Sequence, residues 1–248
     1  MDRRMQETEW YGYRRLNFDF EGLAACLVCP KEAKEDGHPP RWLFKIEYFE
    51  AFPSFELAML ERGWYVAHVD NRTRWATPAD RAVWPRFCAY LSARWGLRQK
   101  CLPVGMSCGG MEAVYFASEH PELVAALYLD APVMDLLSCP YGMGKSESDF
   151  SAEFEAATGL SRSEMLHYRD HPIDRAPALL AARIPVMMVS GDADRTVPYD
   201  ENGQRLTAFY RENGGVIHEI IKAGGDHHPH GLPDPAPLIE FAEAIDFS

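Results

Sequence analysis

Gly105-Met-Ser107-Cys-Gly109 places a serine between two glycines, where a short apolar run gives way to a segment of helical period. Glycines there let the chain turn sharply and thrust the serine out at a helix N-terminus, which is how a hydroxyl is presented as a nucleophile. With Gly and Ser each at roughly 7% usage, the triplet arises by chance in about one chain of this length in ten, so the strand–turn–helix context gives it its weight. A serine also needs a base and a group that orients the base. Downstream, Pro185-Val-Met-Met-Val-Ser-Gly191 runs into Asp192-Ala-Asp194-Arg-Thr-Val-Pro198, with two carboxylates just beyond a strand end. Either can hold an imidazole in the tautomer that accepts the serine proton, and either can be a turn residue beside Gly191. The segment Ala223-Gly-Gly-Asp-His-His-Pro-His-Gly231 holds three of the nine histidines, and a histidine there completes the order Ser, Asp, His. Asp226, His227, His228 and His230 are also possible metal ligands, a rival that leaves the serine and aspartate signals unexplained.

Around these groups the pattern reads as a β-hairpin, 13–20 with 23–30 across Glu21-Gly22, and then alternating strands and helices. Strands are predicted over 42–46, 64–70, 100–104, 125–130, 185–191 and 215–222. Helices are predicted over 52–62 (Phe52, Phe55 and Met59 on one face, Gly63 as stop), to about residue 95 with Val83, Phe87 and Leu91 buried, over 109–120, over about 200–213, and from Asp234-Pro235 onward. Pro85 either kinks the second of these or marks its start near Trp84, and Pro103 costs a central strand one ladder donor. The expectation is an α/β fold, a mostly parallel sheet with helices on both faces, in one domain over 1–248. Residues 131–176 interrupt the alternation after the sixth predicted strand. They carry two short helical stretches, the second opened by Ser161-Arg-Ser-Glu164 at capping-box spacing, and read as a small cap over the mouth of the sheet.

The chain has 248 residues, 47% of them hydrophobic, enough for a full core. No apolar run approaches the length of a membrane span, and the start Met1-Asp-Arg-Arg-Met-Gln-Glu7 lacks the apolar core of a secretory signal, so a soluble, cytoplasmic protein is expected. The net charge of -12 opposes nucleic acid and anionic membranes as partners. Six cysteines in such a chain read as free thiols. Cys26 and Cys29 are three apart on a strand and so face opposite ways, which excludes joint metal binding. The stretch 31–40 reads as a surface loop.

These motifs together resemble the α/β-hydrolase fold superfamily over nearly the whole chain. Tyr128-Leu-Asp-Ala-Pro-Val-Met-Asp135, His171-Pro-Ile-Asp174 and His227-His-Pro-His-Gly-Leu232 resemble a bacterial group of carbohydrate esterases within it. The resemblance implies a serine esterase with Ser107 as nucleophile, Asp194 as acid and His227 as base, no cofactor and no metal. The His-Gly signature that often follows the third strand and builds half of the oxyanion hole is replaced by Ile46-Glu-Tyr-Phe49. The expected donors are therefore the N–H of Cys108 and that of Glu47 or Tyr48, with the Glu47 carboxylate bound elsewhere, a substrate hydroxyl being one candidate. The implied reaction is acyl-enzyme hydrolysis of a small-molecule carboxylic ester, an acyl ester on a sugar being one form. A serine peptidase or thioesterase on the same fold, a non-catalytic binding protein, and a metal-dependent hydrolase using the histidine loop are the alternatives. Aromatic residues near the mouth of the sheet read more readily as core or cap packing than as a sugar platform.

Overall fold

In the computed structural model the described residues are 5–33 and 37–247; Met1 to Arg4 of the polar start and three residues of the 31–40 loop lie outside them. The described strands are β1 (Gln6–Trp10), β2 (Tyr13–Phe20), β3 (Leu23–Cys29), β4 (Trp42–Lys45), β5 (Tyr65–Val69), β6 (Leu102–Met106), β7 (Leu127–Asp130), β8 (Val186–Gly191) and β9 (Ile217–Lys222). The described helices are α1 (Ser54–Glu61), α2 (Pro78–Arg81), α3 (Val83–Trp95), α4 (Cys108–Glu119), α5 (Ser151–Thr158), α6 (Arg162–Met165), α7 (Ala176–Ala181), α8 (Gly203–Glu212) and α9 (Ala236–Ala244). The sheet order is β1-β2-β3-β5-β4-β6-β7-β8-β9. Antiparallel pairing runs from β1 to β5, and parallel pairing from β5 through β4 to β9. This is the α/β-hydrolase fold that the sequence resembles.

Every residue of β4, β6, β7 and β8 is buried, as strands covered on both faces must be. Neighbouring residues feed different layers. Phe44 packs with Trp84 and Phe87 of α3 and Phe116 of α4, whereas Leu43 packs with Phe55 and Met59 of α1 and Phe241 of α9. Val83, Phe87 and Leu91 form the expected buried stripe. Pro85 sits in the first turn of α3, where its missing N–H leaves no intrahelical bond unmade. Cys26 and Cys29 fall in the two opposite layers, and all six cysteines are free.

Several boundaries differ from the sequence expectation. β1 escaped it because four of its five residues are exposed and polar; its order comes from main-chain pairing to β2 across Tyr11-Gly12, a turn with both φ values positive. The insertion at 131–176 therefore follows the seventh strand rather than the sixth. α1 begins at Ser54, so Phe52, at φ 48, lies before the helix and not on its apolar face. The Ser161 capping box forms as expected and opens α6.

The turn that follows β4 is held from two sides. Lys45 and Glu56 are 0% and 1% exposed and meet at 2.6 Å, and the same ammonium donates to the Ala51 carbonyl at 3.2 Å. On the other side the Asn71 amide donates to the Ile46 carbonyl (2.9 Å), the Glu47 carboxylate (2.8 Å) and Glu112 Oε1 on α4 (3.0 Å), while its own oxygen accepts from Trp84 Nε1 at 2.8 Å. Burial, then the negative charges of Glu47 and Asp80, push the Glu112 carboxyl well above its ordinary range.

Removing one member of the buried pair strands the other. Lys45→Ala is expected to cost about 3–5 kcal/mol in urea unfolding, and Lys45→Met with Glu56→Leu to recover most of that loss. The raised carboxyl of Glu112 makes the folded state bind a proton that the unfolded chain releases above pH 4.5. Its contribution to stability is therefore present below the unfolded pKa and falls by about 1.4 kcal/mol per pH unit as pH rises toward the folded one. Glu112→Gln, which keeps an acceptor for Asn71, should gain on the wild type as pH rises above 4.5. An advantage independent of pH would mean that Glu112 does not bind the extra proton.

Candidate active site

The carboxyl ends of β4, β6, β8 and β9 open on one side of the sheet, and β4 and β6 flank the point where strand order reverses, which is where open α/β sheets bind ligands. Ser107 joins β6 to α4 with φ 54 and ψ −120, a conformation that costs a non-glycine residue about 1–3 kcal/mol. Close approach makes the flanking glycines necessary. A Cβ at Gly105 would lie 2.4 Å from the Gly109 carbonyl oxygen, and one at Gly110 would lie 2.5 Å from Pro132 Cβ. Main-chain bonds fix the turn: Ser107 N–H donates to Asp130 (3.0 Å), and the Ser107 carbonyl accepts from Gly110 and Val133 (3.0 Å each).

The two downstream loops are stitched to each other. Ala193 N–H donates to the Gly225 carbonyl at 2.9 Å, and Gly224 N–H donates to Asp192 Oδ1 at 2.6 Å. Asp192 thus takes the turn role, while Asp194 points inward. Asp194 Oδ1 accepts from the N–H groups of Thr196 (2.9 Å) and Val197 (2.8 Å), and its Oδ2 lies 2.7 Å from His227 Nδ1. His227 Nε2 lies 3.1 Å from Ser107 Oγ. Asp194 and His227 are buried, at 6% and 5% exposure, and Ser107 is half-buried. The three residues named from the sequence therefore form one hydrogen-bonded chain, with Nδ1–H donated to the carboxylate and the Nε2 lone pair facing the hydroxyl.

Ser107 and His227 line a cavity of about 220 Å³. The N–H of Cys108, at the first position of α4, is one of the donors a helix leaves unpaired at its start. Tyr48, at φ 53, also lines the cavity. Burial, followed by the neighbouring Cys108, pushes its phenol well above the usual range, with Arg74 opposing the shift. Glu47 turns the other way: its carboxylate is taken by Asn71 and not presented to a substrate hydroxyl.

Sequence reasoning passed over several cavity residues. Arg74, from the loop after β5, is the one permanently charged side chain lining the cavity among the described residues. It makes two bonds to Glu153 of α5 (2.9 and 2.6 Å) and lies over the Phe150 ring at 4.8 Å, so the 131–176 segment is tied to the site. Phe52 and Phe150 supply apolar wall, and no tryptophan lines the cavity. His230 lines it as well, with Nδ1 2.8 Å from Asp130 Oδ1. The adjacent His171 motif is structural, its ring accepting from Leu136 N–H (3.1 Å) and its own N–H donating to Asp174 (2.9 Å). Arg74 and Phe150 stand in no recognisable short motif; only a basic residue just after a strand would have marked Arg74.

No helix among the described residues is long and apolar enough to cross a membrane. No curated protein matches the sequence at a significant level. Among solved structures the chain is similar to an acylaminoacyl peptidase (TM-score 0.72, 17% identity, 94% of this chain and 41% of that one). It is also similar to Porphyromonas gingivalis dipeptidyl peptidase 4 (TM-score 0.66, 15% identity, 98% and 35%). A third similar structure is a thermophilic esterase of the planctomycete Thermogutta terrifontis (TM-score 0.59, 18% identity, 90% and 87%). The chain thus spans well under half the length of the two peptidases, and at these identities the likeness is one of fold. The sequence itself matches the prolyl oligopeptidase family of peptidases, family S9, over residues 87–247, a stretch that contains Ser107, Asp194 and His227. The chain therefore belongs to the prolyl oligopeptidase family.

Proposed function

We propose that the protein hydrolyses a small, uncharged carboxylic ester through an acyl-enzyme on Ser107. The observation that carries this reading is the unbroken chain from Asp194 through His227 to Ser107 at the floor of a cavity with no carboxylate in its lining. His227 Nε2 takes the Ser107 proton as Oγ attacks the carbonyl carbon, and Asp194 stabilises the imidazolium that results. The imidazolium then protonates the departing alkoxide, and a water activated by the same nitrogen cleaves the acyl-enzyme. The developing oxyanion is held by the Cys108 N–H and by the Tyr48 O–H, which lines the same cavity and which burial keeps protonated.

Two features favour an ester over a peptide with a free amino terminus. A buried ammonium needs a carboxylate partner, and the cavity offers Arg74 instead. A volume of about 220 Å³ suits a short acyl group. For the leaving group, an acylated sugar is suggested by the resemblance noted above, and Phe52 and Phe150 provide apolar faces beside Ser107. The second reading is cleavage of an aminoacyl amide with a blocked amino end. It is favoured by the family and by the acylaminoacyl peptidase among the similar structures.

Intact-mass analysis after fluorophosphonate treatment is expected to give one adduct, on Ser107, that is absent in Ser107→Ala. Asp194→Asn should lower the acylation rate by about 10⁴-fold while Asp192→Asn leaves it within a few-fold. Equal losses at the two aspartates would remove Asp194 from the role. Tyr48→Phe should lower kcat by about 10²–10³-fold if the hydroxyl holds the oxyanion; unchanged turnover would assign the second donor to a main-chain N–H. A panel of short acyl esters, acetylated sugars and N-acyl aminoacyl amides separates the two substrate readings, and preference for the amides would replace the ester reading with the second.

A further inference from the structure

His227, His228 and His230 stand on one loop with their rings mutually edge-on, the centroids 4.8, 4.8 and 4.9 Å apart. One ligating atom from each lies within 4.8 Å of the others. Two of the three already have the environment that a metal-binding imidazole requires, a carboxylate on the far ring nitrogen. Asp194 holds Nδ1 of His227 at 2.7 Å and Asp130 holds Nδ1 of His230 at 2.8 Å, which leaves each Nε2 as the ligating nitrogen, that of His227 otherwise facing Ser107 Oγ at 3.1 Å. Asp130 is itself pinned, its second oxygen accepting from Gly231 N–H at 2.7 Å and Tyr128 Oη at 3.0 Å. His228 is exposed, so the site opens to solvent on the side from which an ion would arrive. Proline and glycine flank His230, and the loop is fixed at its start by the Asp226 carboxylate, which accepts the His227 N–H at 2.8 Å.

We propose that these three imidazoles form a binding site for a divalent zinc-like cation, and that occupancy switches the serine off. Zinc takes imidazole nitrogens at about 2.0–2.1 Å, so in a tetrahedral site the three nitrogens stand about 3.4 Å apart. The exposed His228 ring closes most of the difference, about 1 Å, and water fills the fourth position. The bond formed to His227 uses the lone pair that accepts the Ser107 proton, so metal and catalysis compete for one orbital pair. A net charge of -12 favours accumulation of cations near the surface. Binding stands on the geometry alone; only its inhibitory consequence rests on the role proposed for His227.

The test uses the full chain stripped of metal with a chelator and titrated with Co²⁺, whose visible d–d bands report tetrahedral coordination. The bands should appear in the wild type and in Ser107→Ala, be displaced by Zn²⁺, and be lost in His228→Ala and His230→Ala. Asp130→Asn, which leaves all three ligands in place, should weaken binding by about 10–100-fold. In parallel, the rate of fluorophosphonate labelling is measured with and without Zn²⁺. The ratio should fall at least about tenfold in the wild type, recover with chelator, and stay near one in His228→Ala. Absence of the bands, or bands that survive in His228→Ala, would overturn the site. Loss of labelling on stripping the metal, restored by Zn²⁺, would overturn the inhibitory role. A protein with no serine reactivity at all still gives the cobalt result, so failure of the esterase reading is distinguishable from failure of this one.

Discussion

The strained turn at Ser107 is the constraint on which the rest of the site depends. A residue with a side chain at φ 54 and ψ −120 sits there only because the surroundings leave no other path. β6 enters between β4 and β7, α4 leaves so close that Gly105 and Gly110 cannot carry a Cβ, and Asp130 at the end of β7 takes the Ser107 N–H. The same closeness aims the N-terminus of α4, with the unpaired N–H of Cys108, at the point where Oγ emerges. The proposed nucleophile and the first proposed oxyanion donor are thus one piece of backbone. The fully buried strands on either side supply the stability against which about 1–3 kcal/mol of local strain is small.

What remained was to bring a base and a second donor to that turn, and different chemistry serves each. The base arrives through main-chain stitching between the β8 and β9 loops, so that Gly191 and Gly225 touch and Asp194 meets His227. The donor side arrives through buried charge. Lys45 with Glu56 grips the turn at Ala51, and Asn71 grips Ile46 and Glu47 against Glu112. Glu47, which looked out of place beside a developing oxyanion, is thereby drawn away from it, and Tyr48 is left at the cavity.

The parts of this that were legible in the sequence are those set by local period and turn chemistry. β2 and β3 could be read from alternation and Glu21-Gly22, the elbow from its glycines, and the α3 stripe from Val83, Phe87 and Leu91. β1 was not legible, because an exposed edge strand needs no apolar alternation when its order comes from pairing. The choice between Asp192 and Asp194 was open to spacing arguments alone, since both follow the same strand; only the three-dimensional approach of Gly224 shows that the first is consumed by the turn. Arg74 and the Asp130–His230 pair were invisible for a related reason: their partners, Glu153 and a residue 100 positions away, are joined by topology and not by sequence distance.

The electrostatics of the cavity bear on what it can accept. Arg74 would attract an anion were it alone, but it is held bidentate by Glu153, and the two carboxylate oxygens take two of its donor directions. Beyond roughly 8 Å salt screens the remainder of its field, and at closer range an anionic substrate must still approach a chain of net charge -12. A cationic substrate meets the opposite difficulty, since it would be desolvated beside a guanidinium with no carboxylate facing the cavity. Neutral substrates escape both costs. The charge that matters under the proposed reaction is then the one generated in it, an oxyanion at Ser107, for which the Cys108 N–H, the Tyr48 hydroxyl and the positive charge of Arg74 all stand at the same cavity.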